Sequence, residues 1–125
     1  MISIQIIIAI LIFHWIGDFL FQTNWQAKNK ATDLGALIDH TLTYSTVLTL
    51  CGICMFHTEE FPLNWLKIGL FVGITFLAHT LTDYFTSKLN KHLWDTKQVH
   101  YFFVSIGFDQ VLHYIQLTLT YLLLK

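Results

Sequence analysis

Four long runs dominated by apolar side chains, at 2–22, 34–56, 62–89 and 99–124, constrain this chain more than any other feature. Only six of the 15 charged residues lie inside them. A helix crosses the hydrocarbon of a bilayer with roughly 20 such residues. β-Branched residues are plentiful, but the runs exceed strand length and lack a period of two, so they read as helices. Charged residues are only 12% of the 125, too few to coat a soluble surface of this size. The expectation is one domain, 1–125, folded as an all-α, up-down-up-down four-helix transmembrane bundle. Its connections are "TNWQAKNKATD", "HTEEF" and "NKHLWDTKQ". Thr32 or Asp33 is available to cap the second helix. Pro62 suits the first position of the third. Gly69 and Gly73 are a small-xxx-small pair of the kind that lets membrane helices approach closely. No basic stretch precedes the first run and no small-x-small site follows it, so it reads as a retained helix and not a cleaved signal.

Polar residues inside such runs demand a reason. Three pairs recur at a spacing of four: His14/Asp18, His79/Asp83 and Asp109/His113. That spacing puts both members on one helix face. His40 adds an imidazole to the second run, with Tyr44 on the same face. In an alternating bundle, odd helices end where even helices begin. At 1.5 Å per residue, all seven ligand-type residues then fall in a band roughly 6–20 Å inside one surface. A carboxylate at the centre of a span costs about 2.5–3.5 kcal/mol. Three of them unpaired would cost on the order of 8–10 kcal/mol, comparable with the stability of a whole domain. Axial position puts no lysine at the same depth, so one or two divalent cations are expected to balance the charge.

His14, Asp18, His40, His79, Asp83, Asp109 and His113 form a His/carboxylate set suited to Zn, Mn or Fe. Three or four ligands suffice for one zinc. Seven imply either two ions with a bridging Asp, or one ion with further carboxylates orienting the imidazoles. The competing reading is a set of interhelical His–Asp hydrogen bonds that only lock the bundle.

The segments "HWIGDFLFQTNWQAKNK", "DHTLTYS", "AHTLTDYFTSK" and "FDQVLH" resemble a bacterial and phage family of small four-helix membrane proteins with an HxxGDFxxQT motif, a domain of unknown function. More distantly the chain is similar to the membrane-bound metal-dependent hydrolases. The resemblance runs from His14 to His113. It implies that Gln22, Thr23, Lys28 and Gln110 belong to the motif, with Lys88 as a further member.

Lys28, Lys30, Lys88, Lys91 and Lys97 gather at one end of the expected bundle, against Lys67 and Lys125 at the other, where Glu59 and Glu60 also lie. The positive-inside rule puts the lysine-rich end in the cytoplasm and both termini outside, in a bacterial inner membrane. A metal near a membrane surface lowers the pKa of its water and polarises a phosphoryl oxygen. The leading expectation is therefore a metal-dependent hydrolase of a phosphoester, either a lipid headgroup or a nucleotide-like molecule. One of Asp18, Asp83 or Asp109 would be the general base. Gln22, Lys28, Lys88 and Gln110 would meet the anionic substrate, although interfacial snorkelling also accounts for the lysines. Alternatives are an ion- or proton-handling protein, a haem protein, or a non-catalytic module with a structural ion. The bilayer is the expected partner, together with a possible second copy of the chain. Net charge is −1 with no arginine, so no nucleic acid polymer is expected. Cys51 and Cys54 read as small hydrophobes, and His92 and His100 as exposed. Trp15, Trp25, Trp65 and Trp94 suit an interfacial belt.

Overall fold

The computed structural model describes residues 2–57 and 63–125. The position expected for Pro62 and the acidic pair Glu59/Glu60 lie outside the described residues. Among the described residues the chain is helical throughout and has no strand. The elements are α1 (Ile4–Trp15), a π-helical turn (Ile16–Leu20), a short α2 (Asn24–Asn29), α3 (Leu34–Met55), α4 (Trp65–Asp95) and α5 (Val99–Leu124). Within this helical bundle, α1 packs on α3 and α5, and α4 packs on α3 and α5.

The helix ends follow local chemistry. Asp33 is the residue that caps α3, accepting from Gly35 N at 2.7 Å and Ala36 N at 3.3 Å. α4 starts at Trp65, after an Asn64 cap that accepts from Lys67 N. It runs six residues past the expected end at 89, because nothing in "NKHLWD" breaks a helix, and an i,i+4 pair of Lys91 and Asp95 (2.6 Å) supports it. It stops where Lys97 takes a left-handed conformation (φ 60°). Gln98 N then bonds Leu93 O and Lys97 N bonds Trp94 O, the paired bonds of a Schellman cap.

The interior has two unlike halves. Ile10, Leu48, Cys51, Met55, Phe71 and Leu117 fill an apolar core toward the chain termini. Phe56 closes that end against Phe71 and Tyr121, with ring centroids 5.9 and 5.8 Å apart. The other half of the interior is polar. Gly69 and Gly73 do not mediate packing among the described residues: apart from their chain neighbours and own helix backbone, no described atom lies within 4 Å of where their Cβ atoms would be. Among the described helices, α4 alone is long and apolar enough to cross a membrane; the apolar segment Ile4–Leu20 is shorter.

Candidate metal centre and its cleft

The polar layer is assembled by all four long helices, and each reaches it by a different device. α1 unwinds into the π turn just before Asp18, a distortion that often marks functional positions. Gly17 lets that turn lie against α3: a Cβ there would meet Tyr44 Cδ2 at 2.9 Å. α3 contributes His40 and Tyr44, one turn apart and both buried. α4 contributes His79 and Asp83, and α5 contributes Asp109 and His113. All seven expected ligand residues are buried, His14 and His40 completely.

Four of them converge. His40 Nε2 lies 3.1 Å from Asp18 Oδ1 and 3.4 Å from Asp83 Oδ2. His79 Nε2 lies 3.6 Å from each of those oxygens and 3.2 Å from His40 Nε2. Donors around a tetrahedral ion with bonds of about 2.0–2.1 Å stand about 3.3–3.4 Å apart. The spacings therefore match the edges of such a polyhedron, and the group could hold a metal ion. Asp18, Asp109 and His113 make a second convergent group, so Asp18 belongs to both. His113 Nε2 sits 3.1 Å from Asp83 Oδ1 and 3.4 Å from Asp109 Oδ1. Tyr44 stacks on His79 with centroids 3.8 Å apart and an 18° interplanar angle, fixing the imidazole plane. The Nδ1 atoms of His40 and His79 are buried without a hydrogen bond.

His14 is in the layer but outside both groups. Its Nε2 donates to Gln110 Oε1 at 2.7 Å and its Nδ1 accepts from Tyr44 Oη at 2.9 Å. Gln110 in turn donates to Asp18 Oδ2 (3.2 Å) and Asp109 Oδ2 (3.1 Å). With both ring nitrogens engaged, His14 orients the residues that converge.

One expectation is corrected. A lysine does reach this depth: Lys30 Nζ donates to Asp83 Oδ2 at 2.7 Å and lies 3.4 Å from His40 Nε2. Burial alone would lower the pKa of this amine, but Asp83, Asp18 and the hydrogen bond to Asp83 outweigh it and hold the pKa above its ordinary value. The ammonium offsets one of the buried carboxylates. Its backbone belongs to the end of α2, a helix absent from the expected architecture. A reciprocal capping box starts α2: Thr23 Oγ1 accepts from Gln26 N, and Gln26 Oε1 accepts from Thr23 N. The buried Gln26 amide also donates to Asp39 Oδ2 (2.8 Å) and Thr43 Oγ1 (3.2 Å), tying α2 to α3. Asp39 thus anchors the segment that carries Lys30. The signal for this was present in the sequence as Thr23-x-x-Gln26.

A cleft of about 630 Å³ opens on the layer at the lysine-rich end. Asp18, Lys30, Asp109 and Gln110 line it, with Gln22 and Lys28. Gln22 Nε2 donates to Asp18 O at 2.9 Å, helping to satisfy the π turn. Lys88 lies elsewhere: it lines a separate 190 Å³ hollow, and its Nζ sits 3.5 Å above the Tyr84 ring. Cys51 is buried and Cys54 exposed, both as free thiols. His92 and His100 are exposed.

No curated protein and no solved structure matches the chain. A family model does match, over residues 6–125, which takes in both convergent groups and the cleft. The chain belongs to the family described as Protein of unknown function (DUF3307).

Proposed function

We propose that this protein is a membrane-embedded, metal-dependent phosphoester hydrolase. The observation that carries the reading is the convergence of Asp18, His40, His79 and Asp83 at coordination spacings, beside a cleft that shares Asp18. The membrane part rests on the outer surface. Leu66, Leu77 and Leu123 are 74%, 68% and 79% exposed. Only 22% of the most apolar stretch of α4 is buried, whereas the core helix of a soluble protein is mostly buried. A soluble monomer rarely shows water so much contiguous apolar surface. In this reading all four long helices cross the bilayer of a bacterial inner membrane. The lysine-rich end then faces the cytoplasm.

One zinc, manganese or iron ion would sit among the four donors, and a second at Asp18, Asp109 and His113 would make Asp18 the bridge. A bound ion supplies Lewis acidity and a water acidic enough to react near neutral pH. The rest falls to the chain. With the ion held by the four donors alone, Asp109, which lines the cleft and is then no ligand, would take the proton of the attacking water. As the water oxygen bonds to phosphorus, the ester P–O bond breaks and the leaving oxygen takes up a proton. Gln110 holds Asp18 and Asp109 in register. Lys28 and Lys30 attract the anion at the mouth and the floor.

A second reading has its own observation. The four convergent donors are at most 3% exposed and would saturate a tetrahedral ion, whereas catalytic zinc sites keep an open position. On that reading the ion is structural. Metal-loaded protein in detergent, incubated with alkyl phosphate mono- and diesters, separates the two. Release of phosphate or alcohol that Asp109→Asn reduces by at least a hundredfold supports hydrolysis. Stoichiometric metal with no turnover of either ester class leaves the structural ion.

A further inference from the structure

Gln22, Ser87, Asn90 and Asp109 line the same cleft, and Gln22 Oε1, Ser87 Oγ and Asn90 Oδ1 are buried with no hydrogen-bond partner. Ser87 and Asp109 are themselves more than nine-tenths buried. Such orphans are costly unless something supplies their bonds. Ser87 and Asn90 come from the part of α4 beyond the convergent ligands. The rest of the cleft is different in kind. Phe102, Phe103 and Ile106 of α5 line it, with Trp94 of α4 and Phe19 of the π turn. Phe103, Trp94 and Phe19 are 63%, 57% and 44% exposed, so this wall continues onto the apolar outside of the bundle. Lys28 and Lys91 also line the cleft. Lys91 is paired with Asp95, whereas Lys28 makes no ion pair among the described residues.

We infer that the cleft takes an anionic amphiphile that enters from the bilayer: a phosphate headgroup on Lys28, Ser87 and Asn90, with its apolar chain along Phe102, Phe103 and Ile106. This deepens the hydrolase reading, on which it rests, by naming the substrate as a lipid phosphate instead of a nucleotide. The unpaired Ser87 hydroxyl can donate to an anionic oxygen. The apolar wall, being open to the outside, suits a chain that never leaves lipid. Serine hydroxyl and asparagine amide nitrogen donate to phosphate oxygens, and Lys28 adds charge.

Binding to the full chain in detergent tests this with soluble probes: hexyl phosphate, inorganic phosphate, adenosine monophosphate and hexyl glucoside, with metal content measured on the same sample. Full transfer of a methylene from water is worth about fourfold in affinity, and competition from detergent reduces this. Hexyl phosphate should still bind at least tenfold tighter than each other probe. Phe103→Ala should bring hexyl phosphate down toward inorganic phosphate while leaving inorganic phosphate unchanged. Lys28→Ala should weaken both alike. Equal binding of hexyl and inorganic phosphate, equal binding of hexyl glucoside, tighter binding of the nucleotide, or no binding at all would each overturn the inference. Stoichiometric metal with no chain preference sinks the lipid inference alone. Chain preference in protein that takes up no metal sinks the hydrolase and leaves a lipid-phosphate site.

Discussion

Replacing Lys30 with methionine should move two quantities in opposite directions. The ammonium lies 2.7 Å from Asp83 Oδ2 with its side chain only 18% exposed, while Asp83 is 1% exposed. At that distance and an effective dielectric constant of about 20, the attraction is on the order of 6 kcal/mol. Desolvation offsets part of it, and removing one partner of a buried pair costs about 3–5 kcal/mol. Chelated Lys30→Met should lose that much stability. The same ammonium stands 2.7 and 3.4 Å from two of the four convergent donors, so it repels any cation placed among them. Without it, metal affinity should rise at least tenfold, about 1.4 kcal/mol, and a saturating ion should restore most of the lost stability. Unfolding in detergent, chelated and ion-saturated, measures the first quantity, and competition with a chelator of known affinity measures the second. A variant that binds metal more weakly, or that is as stable as the parent when chelated, would refute the reasoning.

Two further substitutions probe how the layer is built. Gly17→Ala sets a Cβ 2.9 Å from the Tyr44 ring, which His14 and His79 pin in place, so about 1–3 kcal/mol of stability should be lost together with metal occupancy. A variant with normal stability and occupancy would mean that the π turn need not touch α3. Gln26→Ala removes the capping box and both ties to α3, costing about 1–3 kcal/mol. It should also speed amide exchange at Lys28 and Lys30 relative to α3; unchanged exchange would show that α2 is held by other contacts.

Much of this centre is legible from spacing alone. The i,i+4 pairs and the alternation of helix direction bring seven residues from four helices to one level, because axial rise and facing are fixed by helix geometry. That reasoning stops at side-chain reach. Lys30 begins at the end of α2, and its long flexible stem carries the charge to Asp83, which no axial count can place. Spacing also tells which face His14 occupies without telling that Tyr44 and Gln110 take both of its nitrogens. Two local features are hidden for other reasons. The π turn at Asp18 has no compositional mark, and α4 outlasts its apolar run because apolarity reports where lipid would end, not where helical hydrogen bonds end. α2 was readable from its Thr-x-x-Gln cap but is too short to show periodicity.

The most direct measurement is elemental analysis of the purified full-length protein, joined to X-ray absorption at the edge of whatever metal is found. The convergent donors predict about one or two transition-metal ions per chain in a nitrogen/oxygen shell without sulfur, lost on replacing His40 or His79 with alanine in variants that remain folded. Protein that stays metal-free when offered zinc, manganese or iron(II), with unfolding unchanged by any of them, would contradict the metal centre and leave a bundle held by His–Asp and Lys–Asp bonds.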